Sequence, residues 1–496
     1  MSKNHGDARA IRSRLEYPVI DSDGHWLETG PLLRDYLAKV GGSKAVEGLR
    51  VRNEMVASVL GLTDDGRRHQ RLGQEAWWAL PTRNTLDRAS AMIPRLLYER
   101  LDELGLDFTI LYPTLALMMP ALGDDEIRRV TCRALNMYIA ERFRDFSDRM
   151  TPAAVIPMHT PGEAIEELEY AVTTLGLKVA MLGSLIPRPI PALAPDGALR
   201  RGAIWFDVLG LDGEHDYDPV WAKCVELKIA PTFHSNGRGP GLGLRMSPTN
   251  FTYNHIGHFA AAGEAVCKAL FLGGVTRRFP NLKFAFLEGG VGWACALYAD
   301  LIGHWKKRNS RALAEVNPAY LDRKLLRELF ASYEGESAAA RLSESKPNPS
   351  GQELIDTWAT NPASLDDYAA CGIETAEDIR DLFVRNFYFG CESDDPINAW
   401  AFNSSISPFG ARLKTLFGSD IGHFDVADMT HVVPEAYELV DDGMIAPDDF
   451  RDFVFGNAVE FWAGMNPDFF NGTAVEEQAR SWLDLRREQR GSASRS

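Results

Sequence analysis

Short apolar runs rich in β-branched and aromatic residues recur along the chain, each passing into a polar or Gly-rich turn. They are PVID at 18–21, DFTILYP at 107–113, AAVIPM at 153–158, KVAML at 178–182, IAPTFH at 229–234, LKFAFLE at 282–288, NFYFGCE at 386–392 and LKTLFGSD at 413–420. Apolar runs without alternation predict strands buried on both faces. Between them lie stretches with helical signals. PGEAIEELEYAVTTLG has Pro161 near its start and Gly176 near its end, DPVWAKCVELK follows, and GEAVCKALFLGGVTRRF stops at Pro280. Eight strands alternating with helices predict an α/β fold, a (β/α)8 barrel of TIM type. A doubly wound sheet needs fewer strands and a Gly-rich phosphate turn after the first, where this chain has DGHWLE.

Two segments exceed a minimal barrel. Residues 26–106, after the first strand, hold a charged helical region with paired Trp77 and Trp78, expected to cap the barrel mouth. Residues 305–385, between the sixth and seventh strands, form a second helical insertion, broken at SESKPNPSGQE. The expected organisation is an N-terminal extension at 1–16, a barrel domain at 17–467 carrying both insertions, and a C-terminal helix with a disordered tail at 468–496.

Composition narrows the partners. A chain of 496 residues with 53 basic and 69 acidic side chains has a net charge of -16, which disfavours nucleic acid and anionic membrane and favours a small-molecule substrate. Six cysteines without a CxxC pair read as reduced thiols, and no apolar stretch approaches ~18 residues. With no leader-like N-terminus, the expected location is the cytoplasm. Large helical insertions on a barrel are compatible with a homodimer.

Function in such a barrel sits at the carboxyl ends of the strands. Those ends carry Asp23 and His25 on the first, His234 on the fifth, Glu288 on the sixth and Asp420 on the eighth. Ionisable groups terminating otherwise apolar strands ask for a shared partner, because an isolated buried charge costs several kcal/mol. Two imidazoles and two or three carboxylates form a nitrogen and oxygen set for a divalent transition metal, zinc first, with iron or manganese as alternatives. Cysteine is absent from these positions, which argues against a closed structural zinc site. Asp420 alternatively caps the segment that follows it, and Glu288 alternatively anchors the GGVG turn. His423, three residues past Asp420, is placed to support it. His255 and His258 in NHIGHF are spaced to share one helix face, as contacts to substrate or a second metal or as a packed pair. Arg83 and Arg88, with Trp77, are candidates for holding a substrate carboxylate.

Taken together, VIDSDGHWLE, PTFHSNG, GGVTRRFPNLKFAFLEGGVGW and LFGSDIGH resemble the amidohydrolase-related metal-dependent hydrolases, the superfamily branch that includes carboxymuconate semialdehyde decarboxylase-like and resorcylate decarboxylase-like enzymes. The resemblance spans about Tyr17 to Pro467. It implies that Asp23 and His25 occupy the family's His-x-His pair, that His234 is the fifth-strand ligand, and that Asp420 both touches the metal and takes a proton from water. Glu288 falls where the family carries a histidine. Asp23 and Glu288 therefore both replace nitrogen with charged oxygen, which favours a harder metal and allows a second ion.

The implied activity is hydrolysis of a small cyclic or aromatic acid, ester, amide or lactone by metal-activated water, with Asp420 or Glu288 moving the proton. The alternatives are non-oxidative decarboxylation and oxygen chemistry at one or two non-haem irons. A barrel serving only as a binding module would hold no transition metal. Asp21 is expected to be structural, sharing side-chain direction with Asp23 and His25.

Overall fold

The computed structural model describes residues 7–73, 83–198, 203–234, 246–315, 317, 320–343 and 366–493. Ten strands occur in it: β1 (Ile20–Trp26), β2 (Phe108–Pro113), β3 (Met150–Ile156), β4 (Val179–Leu182), β5 (Ile186–Pro189), β6 (Ile204–Asp207), β7 (Pro231–Phe233), β8 (Phe284–Phe286), β9 (Phe387–Glu392) and β10 (Lys414–Gly418). Eight are parallel neighbours in the order β1-β2-β3-β4-β7-β8-β9-β10, and all eight overlap the apolar runs of the sequence, β1 continuing past its run through the polar residues to Trp26. The first and last strands meet through Asp420 N–H donating to Asp23 O (3.0 Å) and His25 N–H donating to Ile421 O (2.9 Å). The architecture is a (β/α)8 barrel. The hairpin of β5 and β6 is antiparallel and was not anticipated, because its strands are short and interrupted by prolines.

The helices follow their local signals. Asp124 caps the helix Asp125–Phe143 by accepting from Ile127 N–H, and Thr160 with Glu163 forms a capping box on Pro161–Glu169. Between strands and helices, Phe233, Phe286 and Phe389 stack across three neighbouring strands at centroid separations of 5.6 and 6.2 Å. All three are buried, each contributing on the order of 2 kcal/mol by leaving water.

The stretch between β1 and β2 is helical, with Gly30–Leu60, Asp64–Gln70, Thr85–Met92 and Pro94–Leu104; Trp77 and Trp78 lie outside the described residues. The chain divides into two compact units, Met1–Leu297 with Arg380–Ser496, and Tyr298–Ile379. The second unit contains the helices Ala312–Glu315, Arg323–Tyr333 and Glu336–Ser343. The C-terminal helix runs Glu476–Ala493, taking in most of the stretch expected as a disordered tail. Glu, Gln, Leu and Arg there have strong helix propensity, and Arg486 pairs with Glu460 at 2.8 Å.

Lys178 lies just before β4, where its Nζ donates to Phe469 O (2.7 Å) and sits over the Phe469 ring. Burial lowers its pKa from 10.5 to about 8. The unfolded chain then binds more protons than the folded one between those two values, so stability rises with pH across that window. Guanidinium unfolding at pH 7.5 and 10 should show wild type gaining about 2 kcal/mol relative to Lys178→Met, which loses this part of the pH dependence.

Candidate metal centre

The centre begins at an irregularity in β1. Asp21 pairs with Thr109 and Gly24 with Leu111, so three steps along β1 match two along β2. Such a bulge reverses side-chain direction. The regular alternation expected for Asp21, Asp23 and His25 is therefore broken, and Asp21 has its own set of partners. Fully buried, its carboxylate accepts from Thr109 Oγ1 (2.7 Å), Ser419 Oγ (2.7 Å), Ser419 N (3.0 Å) and Asp23 N (3.2 Å). Gly24 makes this possible, since a Cβ there would lie 2.6 Å from Asp21 Oδ2.

Asp23 and His25 instead converge with residues from three other strand ends. His234 follows β7, Glu288 lies two residues past β8, and Asp420 two past β10. Glu288 (φ 58°) and Asp420 (φ 49°) both adopt the left-handed backbone conformation. For non-glycine residues that costs roughly 1–3 kcal/mol each, a strain typical of functional sites. His25 Nε2 lies 3.2 Å from His234 Nε2, 3.3 Å from Asp420 Oδ1, 3.6 Å from Asp23 Oδ1 and 3.9 Å from Glu288 Oε2. His234 Nε2 is 3.5 Å from Asp23 Oδ1 and 2.9 Å from Glu288 Oε2. His423 stacks on His25 at 3.7 Å and places Nδ1 2.6 Å from Asp420 Oδ1. All six side chains are buried.

Burial dominates the electrostatics. It raises Asp420 well above the carboxylate range, helped by Glu288, Asp425, Glu392 and Asp23, and raises Asp23 against the pull of His234. It lowers His25, His234 and His423, leaving neutral imidazoles. Neutral imidazole and carboxylate are the forms that bind metal. A direct observation supports the fit: the buried Oδ1 atoms of Asp23 and Asp420 accept no hydrogen bond, although nitrogens lie within 3.6 and 2.6 Å of them. Lone pairs that approach without hydrogen-bond alignment are what a shared cation requires. Two overlapping sets, His25/Glu288/Asp420/His423 and Asp23/His25/His234, each bring their ligand atoms within 4.8 Å. This donor set fits a divalent metal ion.

Other expected residues fall elsewhere or differ in form. His255 ends the short helix Phe251–His255 and His258 begins His258–Leu272, with Gly257 at φ 76° between them, so they do not share one helix face. Their rings still lie 5.0 Å apart, and His255 adds to the lowering of the His423 pKa. Arg83 is exposed and Arg88 half-buried on Thr85–Met92; neither forms an ion pair among the described residues. Trp77 lies outside the described residues.

Three participants were missed. Glu392 ends β9, and burial with Glu288 raises its pKa well above the usual range; the strand-end rule applied to NFYFGCE would have found it. Thr114, just past β2, places Oγ1 3.3 Å from His423 Nε2. Glu28 accepts from Leu115 N (2.9 Å) and Ala116 N (2.8 Å), and burial pushes its pKa up to about 7. These last two depend on β1 and β2 being neighbours, which no local pattern reveals.

Residues 120–336 match the family model described as Amidohydrolase. Within 161 residues the chain is 30% identical to Decarboxylase orsB of Emericella nidulans, a match covering 31% of this chain and 42% of that protein, so the chain spans less than half of that relative's length. Among solved structures it is similar to 2,6-dihydroxybenzoate decarboxylase from Rhizobium (15% identity, 90% of this chain and 98% of that one, TM-score 0.47). It is also similar to amidohydrolase map2389c from Mycobacterium avium subsp. paratuberculosis K-10 (16% identity, 76% and 75%, TM-score 0.47). The barrel assignment stands on this chain's own strand order. No helix among the described residues is long and apolar enough to cross a membrane.

Replacing Asp21 by Ala strands four hydrogen-bond donors in the barrel. The Asp21→Ala protein should lose roughly 3 kcal/mol of stability. It should also bind less metal, because the bulge that aims Asp23 and His25 is no longer fixed; thermal unfolding and elemental analysis read the two effects separately.

Proposed function

We propose that this protein is a metal-dependent, non-oxidative decarboxylase of a small aromatic or dienoic carboxylic acid. The observation that carries this reading is the 30% identity to a decarboxylase over 161 residues of the chain. It takes precedence over the hydrolysis that the strand-end aspartate alone implies. Asp23, His25, His234 and Asp420 would hold the ion, with Glu288 and His423 beside it. When bound, a divalent ion supplies Lewis acidity toward substrate oxygens, and manganese, iron or zinc suits a set of imidazoles and carboxylates.

The protein's own groups account for the rest. The buried walls exclude water, which disfavours hydrolysis and favours release of neutral CO2 from a desolvated carboxylate. The C–C bond breaks with its electron pair left on the ring or diene carbon. A proton from a site carboxyl then closes the valence. We assign that proton to Glu288, which reaches the centre from β8 and occupies the position where the family carries a histidine. Arg88 is a candidate for orienting the substrate, because its helix is pinned to the end of β1 by Leu27 N–H donating to Ala91 O (2.7 Å).

Purified protein supplied with manganese, zinc or iron and a panel of aromatic and dienoic acids should release CO2 without consuming oxygen, placing one solvent deuteron on the product carbon in D2O. Incorporation of 18O from water with no CO2 would establish hydrolysis instead, and oxygen uptake would establish oxygenation. Glu288→Gln should lower kcat by about 10²-fold or more while keeping metal content. His234→Ala should lose the metal itself, and full metal content in that variant would overturn the ligand assignment.

A further inference from the structure

Glu28 is a buried carboxylate three residues beyond His25 that has no place in the reaction above. Its two oxygens take separate backbone donors, Oε2 from Leu115 N–H (2.9 Å) and Oε1 from Ala116 N–H (2.8 Å). These are the first residues of the 3-10 turn Leu115–Ala121 that follows β2. The residue immediately before them, Thr114, is held from the other side by its N–H donating to Trp26 O (3.1 Å). Thr114 is thus gripped by the end of β1 on one flank and by Glu28 on the other, with its Oγ1 left facing His423 Nε2 at 3.3 Å. The opposite ring nitrogen of His423 is the one that lies 2.6 Å from Asp420 Oδ1.

We infer that Glu28 is a positioning residue for the metal centre: by clamping the 114–116 turn it holds the Thr114 hydroxyl against His423 Nε2, so that His423 Nδ1 and Asp420 keep their place at the site. The clamp sets both ring angle and tautomer. With Nε2–H donated to Thr114, the Nδ1 lone pair turns toward the centre, which is how an imidazole is prepared to bind metal. A carboxylate suits the task because it accepts at both oxygens, whereas an amide in the same position accepts at one and presents N–H to the other backbone donor. The position is shielded from solvent, so water does not replace a lost bond. The inference rests on the reading that His423 and Asp420 belong to a metal-holding set.

The test uses full-length protein, 15N-histidine labelling and a zinc titration against a competing chelator. His423 is assigned by the signal lost in His423→Gln. In wild type its two-bond 1H–15N pattern should report the Nε2–H tautomer. Glu28→Gln should mix the tautomers and weaken zinc binding about tenfold. Thr114→Val should give the same two changes with Glu28 intact, and the double variant should be no weaker than either single one, because both residues act on one link. Glu28→Asp, which keeps the charge but draws it back by one methylene, serves the same comparison if Glu28→Gln does not fold. A folded Glu28 variant with the wild-type His423 pattern and zinc affinity would overturn the inference. A wild-type protein that takes up no zinc, manganese or iron would instead overturn the metal-centre reading beneath it.

Discussion

The carboxylate of Asp21 is the interaction on which the centre depends. It touches β2 through Thr109, the β10 turn through Ser419, and its own strand through Asp23 N–H. A barrel whose first and last strands share only the two backbone hydrogen bonds named above needs such a knot at the seam. The same contacts set the bulge between Asp21 and Gly24. Without the extra residue, Asp21, Asp23 and His25 would all project the same way, and three polar groups would compete for one space. With it, one carboxylate is spent on closure and the next two polar residues are released to the centre. Burial raises the Asp21 pKa, and its four donors oppose that rise.

Closure at Asp21 also explains why strain is tolerated across the mouth. Asp420 follows directly on Ser419, so the left-handed turn that aims Asp420 inward begins at a residue already anchored twice. Glu288 has a comparable turn, after β8, with Leu287 N–H donating to Phe233 O (3.0 Å). Strained residues persist where their neighbours over-determine them. The result is three carboxylates and three imidazoles in one buried volume, a grouping whose like charges oppose each other at every carboxylate. Its favourable state is one in which a cation supplies the attraction the side chains lack.

Much of this was legible in the sequence because barrel physics writes itself locally. Each of the eight buried strands includes part of an apolar run, and each side chain of the cluster stands near where such a run stops, so the convergence of Asp23, His25, His234, Glu288 and Asp420 could be anticipated from position alone. Glu392 obeys the same rule and was overlooked beside them. What escaped was relational. The bulge at Asp21 has no signature beyond a glycine, since it arises from pairing β1 with β2, strands separated by more than eighty residues. Glu28 and Thr114 likewise look like ordinary polar residues until those strands are adjacent. The hairpin of β5 and β6 was hidden by Pro187 and Pro189, which are acceptable only because each strand has a single partner.

Glu288 couples the strand ends electrostatically. An imidazole at the end of the sixth barrel strand would be pushed toward neutrality by burial, as His25 and His423 are here. The carboxylates of Asp420 and Glu392 are pushed the opposite way, toward holding a proton, because desolvation disfavours the charged form whichever sign it has. Asp420 and Glu392, each raised in part by Glu288, show that the repulsion is mutual across the mouth. Burial thus turns the carboxylates of the mouth toward the protonated form and its imidazoles toward the neutral one, and both tendencies mark a site that lacks a compensating charge of its own.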